Sequence, residues 1–232
     1  MFFNPLTSLL MILLFSILSF FFFMFEWNVI SLVFAKIGIP PRYIFFALFL
    51  ILTGSFVNIP IKRIPQETMT GERSVRFFGI RYRIPPAKKP ETVLAVNVGG
   101  AIIPSLLSVY LLFKTGLWVK GLVVTGIMVF VTHRLARPVK GVGIAMPAFI
   151  PPLVAAVLSV IFSYDYAPVL AYIAGTLGTL IGADILNIDK IKNLGAPVAS
   201  IGGAGKFDGI FVTGLVAVLL AGLVSPRRRR GR

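Results

Sequence analysis

The segment that decides the fold runs from Gly175 to Leu220 and reads GTLGTLIGADILNIDKIKNLGAPVASIGGAGKFDGIFVTGLVAVLL. Its first apolar stretch ends at Asp184, its second begins at Asp208, and a Gly/Ala-rich loop with three lysines joins them. We predict that both stretches are membrane helices. A carboxylate at the end of such a helix is costly unless it faces protein, water or an opposite charge. Because one loop connects the helices, both acids are predicted at the same membrane face.

The composition places these acids in a membrane protein. Of the 232 residues, 57% are hydrophobic, and the mean hydropathy is +0.92, well above that of soluble chains. Uncharged apolar runs that are long enough to cross a bilayer recur along the chain. The first run follows Met1 without a basic segment or a small-residue cleavage site, so we expect a retained helix. The sequence therefore predicts a multipass integral protein of the cell membrane.

Several kinds of chemistry have little support in this composition. There is no cysteine, which excludes disulfides and thiolate catalysis, and the single histidine gives little basis for a histidine metal site or a Ser-His-Asp triad. We therefore expect no metal and no cofactor. In a membrane protein, a net charge of +15 indicates cytoplasmic loops that lie against anionic lipid. The expected partners are membrane lipids, and we expect no binding of nucleic acid.

The fold class predicted from the apolar pattern is all-α, a polytopic membrane protein of about seven transmembrane helices. The predicted spans are residues 8–25, 43–59, 93–113, 117–132, 143–163, 168–184 and 208–224. Glycine and proline interrupt the third and fifth spans. Residues 29–39 are too short to cross and are predicted as an interfacial half-helix. The chain is divided into N-terminal helices (1–59), a basic cytoplasmic segment (60–92), a membrane core (93–225) and a basic tail (226–232).

The basic segment contains a stretch with strand periodicity. In SVRFFGIRYRI, residues 74–84, Ile80 and Tyr82 face one way, whereas Arg81 and Arg83 face the other. We predict a small β-ribbon on the cytoplasmic membrane surface. Its simplest role is a platform against lipid. Its alternative role is an edge that binds an extended substrate peptide by strand addition, with Ile80 and Tyr82 in contact with the substrate.

Asp184 and Asp208 are the candidate catalytic residues. Two GxxxG spacings beside them let helix backbones approach closely, and we expect this approach to bring the two carboxylates together. Close carboxylates share one proton, which provides an acid and a base in a single site. The alternative is that Asp208 caps its own helix and Asp184 extends to water from a helix end. The GxxxG pairs are Gly178 with Gly182 and Gly205 with Gly209.

The segment GAGKFDGIFVTGLVAVL resembles the second catalytic motif of the GxGD intramembrane aspartyl proteases, the presenilin and prepilin-peptidase group. In that group Gly-x-Gly-Asp opens an apolar helix, whereas here two residues separate Gly205 from Asp208. Asp184 matches the first catalytic aspartate at the inner end of the preceding helix. The resemblance implies a peptidase that cleaves a membrane-spanning peptide, and we expect Gly203 and Gly205 to let the substrate backbone approach.

Three motifs, NVGGAIIP, GADILN and GGAGKFDGIF, are also similar to a family of multipass prokaryotic proteins catalogued as a domain of unknown function. That resemblance implies a fold and no activity. A second function stays open, a small proton- or cation-coupled transporter that uses the same two acids and Asn97, with broken helices at residues 97–104 and 146–152. A non-catalytic membrane scaffold is the third.

Overall fold

In the computed structural model the chain is mostly helical, as predicted. The residues that the structure describes are 5–65, 73–77, 80–84, 91–139, 143–191, 198–203 and 209–225. Within them the helices are α1 (Pro5–Lys36), α2 (Pro41–Ser55), α3 (Ile103–Thr115), α4 (Trp118–Leu135), α5 (Ile150–Phe162), α6 (Ala167–Thr179), α7 (Ile188–Ile191) and α8 (Gly209–Val224). Among the described residues, three helical stretches are long and apolar enough to cross a membrane: Val98–Thr115, Trp118–Leu135 and Tyr164–Lys190.

The N-terminal helix differs from the prediction. The predicted first span and the predicted interfacial half-helix at residues 29–39 form one continuous helix, α1, of 32 residues. The polar residues Glu26 and Asn28 do not interrupt it, because neither removes a backbone hydrogen bond as proline does. The helix ends only where the chain reaches Gly38 and Pro40, and α2 follows at once.

Strand structure is more extensive than the predicted ribbon. A three-stranded sheet contains β1 (Asn58–Pro65), β4 (Glu91–Asn97) and β7 (Val198–Ile201). Its order is β1-β4-β7, in which β1 and β4 are antiparallel and β4 and β7 are parallel. The start of the third predicted span is therefore a strand and not a helix, and the predicted loop before α8 contains a strand. The sheet positions the end of β7 beside the ends of α6 and α8.

The predicted ribbon is confirmed as a hairpin of β2 (Arg73–Phe77) and β3 (Ile80–Ile84). The side-chain positions of Ile80 and Tyr82 lie outside what the structure describes. A second hairpin pairs β5 (Arg137–Val139) with β6 (Gly143–Ala145). The fifth predicted span therefore begins as a strand, and its helix starts only at α5, where two prolines occupy the first turn, the part of a helix that tolerates them.

Helix α6 is the centre of the bundle. It packs against α3, α4, α5 and α8, and nearly all of its residues are buried. Helix α6 lies close to α8 at Gly175, where a Cβ atom would be 3.5 Å from the Cα of Gly214. A helix that is buried on every side is apolar all round, as the sequence of α6 is. Because α6 is held by its neighbours, the residue at its end, Asp184, has a defined position.

Neighbouring helices end at common levels of the bundle. At the end opposite the sheet, side chains bind the last carbonyls of neighbouring segments. These bonds are Lys36 Nζ to Gly222 O (2.5 Å), Lys114 Nζ to Gly38 O (2.7 Å) and Tyr164 OH to Val224 O (2.9 Å). The other end contains the sheet, the start of α8 and the end of α6, so the acidic helix end and the sheet are adjacent.

Candidate functional site

Asp184 lies where the central helix changes geometry. Helix α6 continues as a π-helical segment, Leu180–Asp184, and then as a 3₁₀ turn, Ile185–Asn187. π-helical turns inside α-helices are frequent at functional sites. The Asp184 carboxylate is half-buried, and its Oδ2 accepts a hydrogen bond of 2.8 Å from the backbone N–H of Gly202. The predicted catalytic acid is therefore oriented by the turn that leads towards α8.

The turn after β7 requires glycine. Gly202 and Gly203 have φ angles of +85° and +82°, a region that L side chains rarely adopt, and Gly203 N–H donates to Ser200 O at 3.2 Å. The turn also packs tightly on a second π-helical segment, Val98–Ile102, because a Cβ on Gly202 would be 2.6 Å from the backbone nitrogen of Ala101. Two π-helical segments and a glycine turn thus meet beside Asp184.

Asn97 joins the π-helical segment Val98–Ile102 to the sheet and to the end of α2. Its Nδ2 donates to Ser55 O at 2.7 Å and to Asn58 Oδ1 at 3.1 Å, and its Oδ1 accepts from Gly100 N–H at 2.7 Å. The hydroxyl of Ser200 donates to the same Asn58 oxygen at 2.6 Å. Asn97 is only 1% exposed. These bonds support a structural role, since they hold β1, β4 and β7 in register, and the predicted contact of Asn97 with substrate or cation stays a prediction.

Asn187 is a residue that the sequence reasoning missed. Its Nδ2 lies within hydrogen-bonding distance of Gly182 O (3.0 Å), Ala183 O (2.9 Å) and His133 Nδ1 (3.3 Å). Its Oδ1 accepts from Lys190 Nζ at 2.6 Å. The π-helical turn displaces carbonyl groups from the regular helix pattern, and this amide binds two of them. An asparagine three residues after the acidic helix end was the available signal.

We expect Asn187→Leu to lower the free energy of unfolding by about 2–4 kcal/mol, because two buried carbonyl groups lose their partner. Lys190→Met is the matched control, since it removes only the exposed side of the cluster and should cost about 1 kcal/mol or less. The measurement is chemical unfolding of the purified protein in detergent. Equal losses in the two variants would contradict the role of Asn187 in holding the turn.

The prediction that the Gly178–Gly182 spacing brings α6 against α8 is wrong. Gly178 and Gly182 do allow close approach, but they face α4 and not α8: a Cβ on Gly178 would overlap Met128, and one on Gly182 would overlap Thr132. The hydroxyl of Thr132 lies 2.8 Å from Gly178 O. Spacing identifies a small-residue face of a helix but not the neighbour that packs on it. The close approach of α6 to α8 involves instead Gly175 on α6 and Gly214 on α8.

Asp208 and Gly205 lie outside the described residues. Gly209, the residue after Asp208, begins α8 at the end of the bundle where α6 reaches Asp184. Gly209 is exposed. Among the described residues, only Met146 Cε would lie within 4.0 Å of a Cβ there, so no described helix packs closely on this member of the second GxxxG pair. The pairing of Asp184 with Asp208 therefore stays a prediction.

Comparison with known proteins gives a family and no activity. The model of a family described as "Protein of unknown function (DUF1614)" matches residues 52–220. No curated protein and no solved structure matches the chain. The matched range contains Asn97, Asp184, Gly202 and Asp208 together, so the candidate site lies inside the family domain. This match confirms the predicted similarity to a domain of unknown function, whereas the resemblance to the GxGD proteases stays a prediction.

Proposed function

The chain belongs to the DUF1614 family, and we propose that it is an intramembrane aspartyl peptidase in which Asp184 and Asp208 share one proton. The observation that carries the proposal is the position of the Asp184 carboxylate. It lies half-buried at the end of the central helix and is bonded to the glycine turn that precedes Asp208 in the chain. A carboxylate in a bundle of apolar helices is costly, which favours a functional reason for its presence.

The chemistry follows from two carboxylates in one site. One carboxylate is ionised and takes a proton from a water molecule, whose oxygen attacks the carbonyl carbon of the peptide bond. The protonated carboxyl donates its proton to the leaving amine nitrogen, and the C–N bond breaks. The hydrogen bond from Gly202 N–H fixes the orientation of the Asp184 carboxylate, which such proton transfers require. At the end of the turnover the two carboxyl groups, Asp184 and Asp208, have exchanged their protonation states.

The edge of β7 supports a way to hold the substrate. β7 is an edge strand, and among the described residues no strand pairs with its other side. It ends at Ile201, next to the Gly202 N–H that binds Asp184. An unfolded stretch of a membrane-spanning peptide that adds to this edge would be led to the carboxylate. In this proposal Gly203 and Gly205 leave room for its backbone. The β2–β3 hairpin, with Ile80 and Tyr82, is the alternative edge.

We further propose that seven helices, α1–α6 and α8, cross the membrane. Successive helices have their ends at alternating levels, which the bonds of Lys36, Lys114 and Tyr164 support. The basic segment that contains the β2–β3 hairpin favours a cytoplasmic position for the sheet and for Asp184. The protein would then be a multipass protein of the cell membrane with its site at the cytoplasmic face.

The test is made with the full chain in liposomes that contain a single-span peptide and a trapped pH-sensitive dye. Mass spectrometry of the peptide and the dye signal are recorded on the same vesicles. We expect cleavage at a fixed bond and no ion flux. Flux with an intact peptide would replace the proposal by the transporter alternative. An intact peptide without flux, across a panel of single-span peptides and with folded protein, would leave the scaffold alternative.

A further inference from the structure

Two outer helices of the bundle, α2 and α5, are shorter than a typical bilayer is thick. Helix α5 has 13 residues, which corresponds to about 20 Å at 1.5 Å per residue. The hydrocarbon core of a typical bilayer is about 30 Å thick. One face of α5 consists of exposed apolar side chains, namely Ile150, Leu153, Val157 and Ile161. This helix therefore offers lipid an apolar surface that is too short for an ordinary bilayer.

The chain at both ends of α5 cannot extend this surface. Residues 146–149 are not helical, and Pro147, Ala148 and Phe149 are exposed. At the other end, the 3₁₀ turn Tyr164–Tyr166 contains the exposed Asp165. Irregular backbone that faces lipid does not occur within the hydrocarbon region, because its polar groups would lack partners. The hydrocarbon layer beside α5 can therefore be no thicker than the helix itself.

Two other helices give the same thickness. Helix α2 has 15 residues, about 22 Å, and is followed by β1, whose residues 59–63 are exposed. On α4, about 21 Å of helix separates Lys120 from Arg134, both exposed. The Arg134 guanidinium lies 5.5 Å from the ring centre of Phe130, one turn back along the helix, so its charge points towards the middle of the apolar surface and not away from it.

We infer that the lipid partner of this protein is a thin bilayer: the apolar belt of α2, α4 and α5 matches short-chain lipids and thins a thicker membrane around the protein. Helix tilt would shorten the belt further, so it cannot remove the mismatch. The longer α1 does not set the thickness, because tilting accommodates excess length. The inference uses the proposed membrane crossing of these helices and is independent of the acid pair.

The first test varies lipid thickness. The full chain is reconstituted in dimyristoleoyl, dioleoyl or dierucoyl phosphatidylcholine, and thermal unfolding is followed by tryptophan fluorescence. We expect the highest midpoint in the shortest lipid and a fall of about 5–10 °C to the longest. A midpoint that is highest in dioleoyl or dierucoyl lipid, or that does not change, would overturn the inference. Peptide cleavage does not enter this readout, so the peptidase proposal can fail separately.

The second test measures depth directly, which is simple because the chain contains no cysteine. Single variants Ala148→Cys, Leu153→Cys and Asp165→Cys are spin-labelled in dioleoyl bilayers. We expect contact with water-soluble relaxing agents at positions 148 and 165, and contact with dissolved oxygen at position 153, which serves as the internal reference. Labels at 148 and 165 that report hydrocarbon would show that the bilayer keeps its thickness.

Discussion

Replacing Asp184 by asparagine should lower peptide cleavage by at least about 100-fold, and Asp208→Asn should do the same. An amide neither takes a proton from water nor donates one to the leaving nitrogen, so either change removes one half of the acid–base pair. In the parent, Gly202 N–H donates to Asp184 Oδ2 at 2.8 Å, and the amide oxygen of Asp184→Asn can still accept this hydrogen bond. The expected loss is therefore one of activity, with little change in the thermal unfolding midpoint.

Asp189→Asn is the matched control for both variants. Asp189 is an acid on the short helix α7, outside the proposed reacting pair, and its replacement should leave cleavage within about 2-fold of the parent. The measurement is kcat/KM for one single-span peptide, followed by mass spectrometry, with thermal unfolding of each variant alongside. Parent-like cleavage in Asp184→Asn or in Asp208→Asn would end the two-acid mechanism.

The parts of the fold that depend on local pattern were predictable. The β2–β3 hairpin follows from the alternation of arginine with apolar residues in IRYRI, which needs no partner to be recognised. The parallel pairing of β4 with β7 is different. The run VLAV before Asn97 is apolar on both faces, a pattern shared by buried strands and buried helices. Its partner strand lies far along the chain, so only the folded bundle decides between the two.

The position of Asp184 at a helix end was predictable from the sequence, but the groups that surround its carboxylate were not. Asp184 stands out because a carboxylate ends an uncharged apolar stretch. Its bond to Gly202 depends on how β7 lies beside the end of α6, which no spacing in the sequence gives. The amide of Asn187 binds carbonyl groups of a π-helical turn, and that turn is a departure from regular helix that propensity does not indicate.

The glycine motif illustrates the same limit in packing. The spacing of Gly178 and Gly182 correctly predicts a helix face that lets another backbone approach. The prediction of which helix approaches was wrong, since α4 occupies that face and α8 packs on Gly175. A spacing on one helix carries information about its own surface only. The neighbour is chosen by the connections and by the small residues on the other helix, such as Gly214 on α8.

Gly202→Ala should lower the free energy of unfolding by at least about 3 kcal/mol, the largest stability effect that we expect of any single methyl group added to the turn. Two costs add at this position. The φ angle of +85° is unfavourable for alanine, and the new Cβ would be 2.6 Å from the backbone nitrogen of Ala101, which belongs to a packed π-helical segment and cannot move aside cheaply. The turn would shift, and its bond to Asp184 would be weakened.

Alanine substitutions at two other glycines separate the cost of the positive φ angle from the cost of the close contact. Gly116 also has a positive φ, +68°, but no described residue would lie within 4 Å of a Cβ there, so Gly116→Ala should lower the free energy of unfolding by only about 1 kcal/mol. Gly126 is in α4, and within the part of the chain that the structure describes nothing would lie within 4 Å of a Cβ there, so Gly126→Ala should be neutral or stabilising by up to about 1 kcal/mol. The three variants are compared by chemical unfolding in detergent. A loss in Gly202→Ala no larger than that in Gly116→Ala would mean that the contact between the turn and the π-helical segment does not stabilise the fold.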